Sequence, residues 1–421
     1  MLNNPMRILF LSNFFPPHEI GGQERSCQEV FEGLLARGHD CLLLTSMHGT
    51  NNIPTSEGRI RRRLYLEMDM VPLRHGLIFF TKRKQRENHN LQTLERLITD
   101  FQPDVLFIWG MWNLPRTLPA LAERLLPGRV AYRFAEYWPT LPSQHEMYWR
   151  APAKNRLTFL PKWIMGKIAL ALLAKDKQQV YLKFEHVMCV SARTRQVLLD
   201  AGVPVSHARV IHTGLDFQEF TNGSHQAQKK ENHSLRILYA GRLSVEKGVE
   251  TVIHAMAELV NTQRLRDIHL SLAGSGQTSY ENELREKVRQ LDLEEAVTFL
   301  GYVPSKKMPG LMQSCDILVV PSVWPEPFAR VVLEGMINHM TLVVTPTGGT
   351  GEIVEDGKNG LSFPAGDSFA LAERVARLAA DPDMRHKLAA AGRKTVLEKF
   401  TRNRMMDDIE QFLQEIVKIG S

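Results

Sequence analysis

The chain has 421 residues, of which 43% are hydrophobic and 23% charged, a composition typical of a globular protein of two or three domains. Its net charge of +6 suits an anionic small molecule or an acidic membrane surface, and is too small to indicate a nucleic-acid-binding protein. The cysteines lie too far apart for a CxxC zinc site and favour a reducing compartment: Cys27, Cys41, Cys189 and Cys315.

The first half of the chain alternates apolar runs with helical patterns. "MRILFLSNFF" is typical of a buried strand and lacks the long apolar centre of a signal peptide, so we expect a cytoplasmic protein. A helix is predicted after Gly21 and Gly22 and ends at Gly38. Further strands are predicted at "CLLLTS", at "RIRRRLYLE" as an edge strand, and at "PDVLFIWG", "RVAYRFAEYW" and "HVMCVSA". Helical patterns between the strands, such as "LQTLERLITDFQ", predict a parallel sheet covered on both faces.

The same pattern restarts after a polar stretch, "TNGSHQAQKKENHS", which we interpret as a linker. Strand-like runs from "LRILYAG" to "TLVVTP" again alternate with helices, and the last forty or so residues have a helical pattern. The sequence therefore predicts two Rossmann-like, doubly wound α/β domains, residues 1–205 and 206–395, followed by a C-terminal helix, 396–421. Two such domains bind their ligand at the strand ends, in the cleft between them.

"EPFARVVLE" carries two acidic residues eight positions apart, Glu326 and Glu334. Carboxylates in this arrangement can accept hydrogen bonds from the hydroxyl groups of a sugar or a ribose. The spacing alone is equally compatible with two ordinary surface glutamates, one in a loop and one in a helix.

Pro327 suits the first position of a helix, where its missing N–H is not needed. The amides that follow it, on Phe328, Ala329 and Arg330, would then point out of the helix start toward an anion.

Two further stretches favour phosphate binding. In "LRILYAGRLSVEKGVETV", Arg242 follows a strand and Lys247 precedes a helix, a placement that suits a diphosphate. Ordinary solvated charge, with Glu246 neutralising Lys247, is the alternative. In "FFPPHEIGGQERS", Gly21 and Gly22 allow a ligand close to the backbone, although a plain turn explains them too. No GxGxxG or GxxxxGK[ST] motif occurs, which argues against a dehydrogenase or a P-loop protein.

A basic and apolar stretch, "NRLTFLPKWIMGKIALALLAKDK", predicts an amphipathic helix with lysines beside Trp163, Ile164 and Ile168. Such a helix can lie on an anionic lipid surface. A helix that packs on its own domain with a solvated basic face is the alternative.

Taken together, these stretches resemble the retaining glycosyltransferases of family four, which have the GT-B fold of two Rossmann-like domains facing each other across a cleft. The resemblance covers nearly the whole chain and is strongest over residues 235–367, in "ILYAGRLSVEKGVETVIHAMAEL", "LAGSG", "VTFLGYVP", "CDILVVPS", "EPFARVVLEGM" and "GGTGEIVEDGKNGLSFPAGD". In that family the C-terminal helix crosses back to the first domain.

By this resemblance Glu326 contacts hydroxyls of the transferred sugar, and Glu334 contacts the ribose of a nucleotide donor. Arg242 and Lys247 bind the donor diphosphate and stabilise the leaving group. The family requires no cofactor and no metal ion.

The resemblance also implies roles outside these four residues. The backbone at Tyr302 and Val303 holds the base, and Gly21 and Gly22 lie by the donor phosphates and the acceptor. On the acceptor side the family often has a histidine before an acid, where this chain has Ala135 and then Glu136.

The implied function is retaining transfer of a hexose-type sugar from a nucleotide-diphosphate sugar, with UDP or GDP, to a sugar, glycolipid or lipid-linked saccharide. We expect a role in cell-surface polysaccharide synthesis, with the protein peripheral on the inner face of the membrane. The alternative, favoured by Ala135, is a catalytically altered GT-B protein that binds a sugar or a partner without transfer. His339 and Thr341, which also depart from the family pattern, are expected to be structural.

Overall fold

The computed structural model describes residues 5–18, 21–49, 56–70, 75–153, 158–177, 180–217, 234–265 and 267–419, with the backbone alone for Ser56, Glu57 and Lys177. The chain forms two compact units. The first comprises Met1–Val190, Thr194–Ile211 and Met406–Ser421, and the second comprises Ser191–Arg193 and His212–Met405. Residues 221–233 of the predicted linker lie outside the described residues.

The first unit is built on an eight-stranded sheet in the order β3-β4-β2-β1-β5-β6-β7-β8. All neighbouring strands are parallel except the pair β3 and β4. The strands are β1 Arg7–Ser12, β2 Asp40–Ser46, β3 Ser56–Glu57, β4 Ile60–Leu64, β5 Val105–Gly110, β6 Val130–Phe134, β7 His186–Cys189 and β8 Arg209–Val210. The strand predicted to lie at the edge of the sheet is β4. The edge position is instead occupied by the two-residue strand β3, so this prediction was wrong.

The described part of this unit contains seven α-helices. They are Gly22–Ala36, His75–Phe101, Thr117–Leu125, Gln144–Arg150, Phe159–Lys177, Ala192–Asp200 and, from residue 406 onward, Arg402–Ile419. The helix His75–Phe101 begins well before the predicted "LQTLERLITDFQ", because the polar run "TKRKQREN" interrupts the apolar pattern after its first turns. Apolar side chains of the strands and helices meet in one core that includes Leu11, Leu94 and Leu106.

The second unit is built on a six-stranded parallel sheet in the order β11-β10-β9-β12-β13-β14. Its strands are β9 Leu235–Ala240, β10 Ile268–Ala273, β11 Val297–Gly301, β12 Ile317–Val320, β13 Thr341–Val344 and β14 Leu361–Ser362. Its α-helices are Val249–Ala257, Thr278–Gln290, Met308–Gln313, Arg330–Ile337, Ser368–Ala380 and Pro382–Lys399, with a π-helical turn at Glu258–Thr262 and 3-10 turns at Val245–Lys247, Ser305–Lys307 and Gly348–Glu352. Buried apolar side chains form a core on each face of this sheet.

Each sheet has one switch point, a pair of neighbouring strands from which the chain adds its other strands in opposite directions. In the first unit this point lies between β1 and β5, and in the second between β9 and β12. Loops that leave neighbouring strands in opposite directions open a crevice at the carboxyl ends of those strands, where α/β sheets bind ligands. Functional side chains are therefore expected at the two switch points.

The helix Phe159–Lys177 is unusual in what it buries. Among its described side chains, the buried ones are the small residues Gly166 and Ala169, while most of the large apolar side chains are exposed, including Trp163 at 51% and Ile168 at 53%. The predicted amphipathic arrangement, with one apolar face and one basic face, is therefore not the one observed. Within the described residues, every helix is too short or too polar to cross a bilayer.

Candidate active site

The switch point of the second sheet carries an ion pair between two residues that are 79 positions apart in sequence. Lys247, from the loop after β9, pairs through Nζ with Oε1 of Glu326, from the loop after β12. Both side chains are largely buried, with 26% and 13% of their surface exposed. The Ser322 hydroxyl donates a 2.6 Å hydrogen bond to the same carboxylate oxygen. In the alternative interpretation Glu246 neutralises Lys247; the observed ion pair of Lys247 is with Glu326, although the charge of Lys247 also acts on Glu246.

The two loops are fastened together by their backbones. The amides of Val323 and Trp324 donate to the carbonyl oxygen of Glu246 at 3.1 and 3.3 Å. Gly248 has a φ of +68° and lies against the carbonyl of Pro321, where a Cβ would overlap the oxygen. A glycine at this position is therefore required to bring Lys247 within reach of Glu326.

The turn Gly348–Glu352 supports the same loop from the other side. Gly348 has a φ of +60°, and a Cβ there would overlap the backbone nitrogen and oxygen of Glu326. The amide of Gly349 donates a 2.7 Å hydrogen bond to the carbonyl of Glu326, and the Thr345 hydroxyl donates to the carbonyl of Ser322 at 2.7 Å. The backbone of Glu326 is thereby held in one position.

The helix that carries Glu334 begins later than the sequence predicts. It spans Arg330–Ile337, with Ala329 at its N-cap, so the prediction that Pro327 occupies the first helical position was wrong. Residues 325–329 instead run as an irregular segment held by the contacts of Glu326. Among the described residues, the amides of Phe328 and Ala329 have no hydrogen-bond partner. Ala329 is buried, with 6% of its surface exposed. Two donors thus remain near the switch point.

Glu334 does not contact Lys247 or Arg242 among the described residues, and pairs instead within its own helix. The Nε of Arg330 donates to Oε1 of Glu334 at 3.1 Å, with 10% and 15% of the two side chains exposed. The i, i+4 spacing of these residues was a signal for this pair, although the sequence analysis considered only the amide of Arg330.

Arg242 is exposed at the carboxyl end of β9, and its guanidinium has no hydrogen-bond partner among the described residues. The hydroxyl of Tyr239 donates a 2.7 Å hydrogen bond to the carbonyl of Arg242. Burial raises the pKa of Tyr239 well above its usual range, and the charge of Glu326 adds to the rise, so the tyrosine stays neutral between the two loops. Arg242 is therefore an exposed cation near the Lys247–Glu326 pair, and its charge also acts on Glu246.

Tyr302 and Val303 follow β11, two strands away from β9. Tyr302 is 69% exposed, and Val303 is partly buried against the core. Among the described residues, the amide and carbonyl of Val303 form no hydrogen bond. A free backbone donor and acceptor at a sheet edge is the arrangement that a nucleobase can use.

The switch point of the first sheet is acidic. Gly21 caps the helix Gly22–Ala36, and its amide donates to Glu24 at 3.0 Å. Glu24 is buried, and its charge acts on Glu136, which follows β6 and accepts from the amide of Met111 at 3.3 Å. Burial raises the pKa of Glu136 to about 7, and the charge of Glu24 adds to the rise. Sequence reasoning missed Glu24, which had only its helix N-terminal position as a signal.

Two more residues of this point escaped the sequence analysis. The Nε2 of Gln23 donates to the carbonyl of Trp109 at 3.3 Å, and the indole of Trp109 donates to the carbonyl of Gln23 at 3.1 Å. A Cβ on Gly110 would overlap Oδ1 of Asn13, so the two strands β1 and β5 approach closely here. The ends of β1 and β5 thus carry polar groups at this switch point.

Comparison with known proteins identifies the family. The family model described as "Glycosyltransferase Family 4" matches residues 20–219, and the model described as "Glycosyl transferases group 1" matches residues 221–395. The chain belongs to glycosyltransferase family four. The predicted family is thereby confirmed.

Individual relatives of this glycosyltransferase are distant. Alpha-D-kanosaminyltransferase of Streptomyces kanamyceticus is 29% identical over 204 residues, which is 48% of this chain and 52% of that protein, so the match spans about half of the relative. A glycogen synthase of Mycobacterium tuberculosis is 25% identical over 421 residues, covering 94% of this chain and 91% of the synthase.

The structure of Anabaena HepE in complex with UDP superposes on this glycosyltransferase with a TM-score of 0.69 at 20% identity, covering 97% of this chain and 100% of that chain. The likeness shows that the fold is GT-B, as the sequence predicts. At this identity it shows the fold alone.

Proposed function

We propose that this glycosyltransferase transfers a hexose-type sugar from a nucleotide-diphosphate sugar to a saccharide or lipid-linked saccharide, with retention of configuration and without a metal ion. The observation that carries the proposal is the Lys247–Glu326 pair at the switch point of the second sheet, beside Arg242 and the free amides of Phe328 and Ala329. This group offers cations and N–H donors to a diphosphate and a carboxylate to sugar hydroxyls.

The pair must exchange partners when the donor binds. A diphosphate carries more negative charge than one carboxylate, so it attracts Lys247 and Arg242, and Glu326 is released to accept hydrogen bonds from the sugar. Ser322, hydrogen-bonded to Glu326, keeps the carboxylate in place during this exchange.

Breaking the sugar–phosphate bond places negative charge on the departing diphosphate. Lys247, Arg242 and the two amides are positioned before the reaction to stabilise that charge, and loss of one such donor costs about 3–4 kcal/mol in comparable sites. The acceptor hydroxyl would attack from the same face and give its proton to a phosphate oxygen, which leads to retention.

Glu334 would hold the donor ribose, and the backbone of Tyr302 and Val303 would hold the base. For Glu334 this requires a second exchange, because Arg330 occupies one of its oxygens. A uridine donor is supported by HepE, which has been solved with UDP and with UDP-glucose.

Gly21, Gly22 and Glu136 would form the acceptor side. The charge of the buried Glu24, and that of Glu136 when it is ionised, oppose a phosphate at this point, since like charges repel strongly away from water. We therefore assign the Gly21–Gly22 turn to acceptor hydroxyls and not to the donor phosphates. Glu136 takes the place of the acceptor-side histidine that Ala135 removes.

We further propose that the protein acts in the cytoplasm, peripherally on an anionic membrane, in the synthesis of cell-surface polysaccharide. The helix Phe159–Lys177 supports this, because large apolar side chains on it are exposed and Asp176 is its only acidic residue. Lys162 and Lys167 stack on Tyr148 and Trp163 at 4.6 and 3.8 Å, which keeps two cations beside the apolar surface.

The proposal is tested with Lys247→Ala and Glu326→Ala, and the exposed pair Lys358 and Glu355, 2.7 Å apart in the same unit, gives matched alanine controls. UDP-, GDP- and ADP-sugars are screened first by thermal shift, and transfer from the stabilising sugar is followed by NMR of the anomeric proton. We expect each site variant to lose at least about a hundredfold in rate with its fold intact, and each control to keep wild-type turnover.

Wild-type turnover in both site variants would show that the site is assigned wrongly. A wild-type protein that binds a donor sugar but transfers it to no saccharide or lipid-linked acceptor would instead identify the catalytically altered alternative.

A further inference from the structure

The first unit contains a cavity of about 430 Å³. It lies beside the helix His75–Phe101 and reaches the helix Phe159–Lys177 at Leu173 and Asp176. Of the described residues that line it, none belongs to the donor or acceptor groups proposed above. Its volume falls within the roughly 300–1,000 Å³ of small-molecule sites.

The larger part of the cavity wall is apolar. It is formed by side chains of Ile78, Trp138, Leu173, Leu182, Phe184 and Val203. This part of the wall offers no hydrogen-bond partners to sugar hydroxyls, which would lose their hydrogen bonds to water there. It accommodates a hydrocarbon chain.

Three arginines line the cavity, and two of them are neutralised. Arg83 pairs with Asp176 at 2.5 Å, and Arg86 pairs with Asp69 at 3.1 Å. Arg116 differs, because no described carboxylate lies within ion-pair distance of it. Its Nη2 donates instead to the carbonyl oxygen of Trp138 at 3.0 Å and to that of Leu141. Arg116 therefore keeps N–H groups for a ligand at the polar end of the cavity, where the charges of Glu67 and Glu146 also act on it.

Besides Asp176, three carboxyl groups line the cavity, those of Glu67, Glu87 and Glu146, and Glu87 accepts a 2.9 Å hydrogen bond from the hydroxyl of Thr117. Glu67 lines the cavity and accepts from the amide of Gln144 at 2.9 Å, and burial raises its pKa to about 7. Near neutral pH this carboxyl carries a proton in a substantial share of molecules and can then donate to an anion. Glu146 is engaged by Arg150 at 2.8 Å.

We propose that this cavity binds a membrane lipid with a phosphate headgroup, the phosphate on Arg116 and the hydrocarbon chain along the apolar wall. Continuity with the helix Phe159–Lys177, whose apolar side chains are exposed, gives the chain a route from a bilayer. The proposal rests on the proposed membrane association for the source of the lipid, and not on sugar transfer.

Binding is measured by calorimetry on the full chain with dodecyl phosphate below its micellar concentration. Inorganic phosphate tests the headgroup alone, and dodecyl maltoside tests the hydrocarbon chain with a neutral head. We expect dodecyl phosphate to bind at least tenfold more tightly than either, since a hydrogen-bonded charge and a buried chain each contribute.

Arg116→Gln is expected to weaken dodecyl phosphate binding about tenfold or more, and Arg124→Gln, an exposed arginine in the helix Thr117–Leu125, to leave it unchanged. Val203→Trp, which fills the cavity, is expected to abolish binding. Nucleotide-sugar binding by the second unit serves as the folding control, so that a failed donor site and a failed lipid site give different results.

Absence of dodecyl phosphate binding would overturn the proposal, as would equal affinity for inorganic phosphate or for dodecyl maltoside. Binding that survives Val203→Trp would place the lipid elsewhere and also overturn it.

Discussion

At the scale of single residues, the second unit keeps the two glutamates of the proposed donor site paired with cations. Lys247 pairs with Glu326 and Arg330 with Glu334, and all four side chains are largely buried. Buried charges in water-poor surroundings need such partners, and removing one leaves the other uncompensated. A nucleotide sugar that offers a diphosphate and hydroxyls can replace both partners at once, which favours its binding over that of a free sugar.

Glu136 gives a prediction about pH. Its carboxylate, which we assign to the acceptor, is protonated below its raised pKa of about 7 and then accepts hydrogen bonds poorly. We expect kcat/KM for the acceptor to rise with pH through about 7 in the wild type. Glu136→Gln should lower that kcat/KM about tenfold and flatten the profile. The measurement is the initial rate at limiting acceptor from pH 5.5 to about 8.5.

The same shift has a consequence for stability. Because the folded pKa lies above the unfolded value near 4.5, the folded state binds more protons between these values, and the contribution of Glu136 to stability falls as pH rises from about 4.5 to 7.

Glu32→Gln, which changes an exposed acid on the helix Gly22–Ala36, is the control for the rate experiment and should keep the wild-type rate profile. A pH-dependent profile that persists in Glu136→Gln would remove this glutamate from the acceptor side.

At the scale of elements, the turn Gly348–Glu352 determines where the Glu326 loop lies. Gly348→Ala would both strain a φ of +60° and push its Cβ into the backbone of Glu326. Gly357→Ala strains a φ of +71° but meets open space. Gly357→Ala should destabilise by about 1–2 kcal/mol, and Gly348→Ala by more, because it adds the overlap with Glu326 to the same backbone strain. Only Gly348→Ala should weaken donor binding, by about tenfold or more, as calorimetry with the donor nucleotide can measure. Equal donor affinities in the two variants would contradict this coupling.

The end of the helix Arg330–Ile337 explains why His339 is structural. His339 has a φ of +61° at the position after the C-cap, where its amide donates to Met336 and the amide of Met340 donates to Gly335. This is the Schellman geometry, in which glycine is preferred. The neighbouring Thr341 donates its hydroxyl to the carbonyl of Arg385 at 2.8 Å, which gives that residue a structural role too.

His339→Gly should therefore raise the free energy of unfolding by about 1 kcal/mol, since it removes the cost of a left-handed backbone on a residue with a Cβ. Asp292 occupies the same position after the helix Thr278–Gln290, with a φ of +53°. Aspartate tolerates this conformation better, so Asp292→Gly is the matched variant and should gain less. Urea unfolding followed by circular dichroism measures both, and a loss of stability in His339→Gly would disprove the argument.

At the scale of the whole molecule, the exposed apolar surface of the helix Phe159–Lys177 predicts membrane association. We expect the protein to float with vesicles containing anionic lipid, and added salt to weaken the association. Replacing Trp163, Ile164 and Ile168 together by serine should reduce the bound fraction at least tenfold, since each side chain contributes about 1.5–3 kcal/mol when buried.

Phe369→Ser is the control for this experiment, because Phe369 is 72% exposed but belongs to the second unit. It should leave flotation unchanged. Failure of the wild type to float with anionic vesicles would end the membrane proposal while leaving the donor site untouched.

The C-terminal helix shows how the chain joins distant parts of one unit. Residues from Met406 onward belong to the first unit, and the apolar side chains Ile409 and Leu413 are fully buried. Glu410 pairs with Arg37 at 2.6 Å and with His39 at 3.1 Å. The helical pattern of this segment could be predicted, but its partners, more than 370 positions earlier in the chain, could not.

The amino-acid sequence by itself determined the alternation of strands and helices, the two α/β halves, the family and the residues Arg242, Lys247, Glu326 and Glu334 as candidates. These follow from apolar periodicity, turn residues and motif spacing, which are properties of short segments. Only the tertiary structure decided that Lys247 pairs with Glu326 and that Arg330 pairs with Glu334. It also decided that the helix carrying Glu334 begins at Arg330, and that the charge of Glu24 acts on Glu136. Such contacts depend on which strand ends become neighbours in the sheet, and strand order is set by packing between segments far apart in the chain.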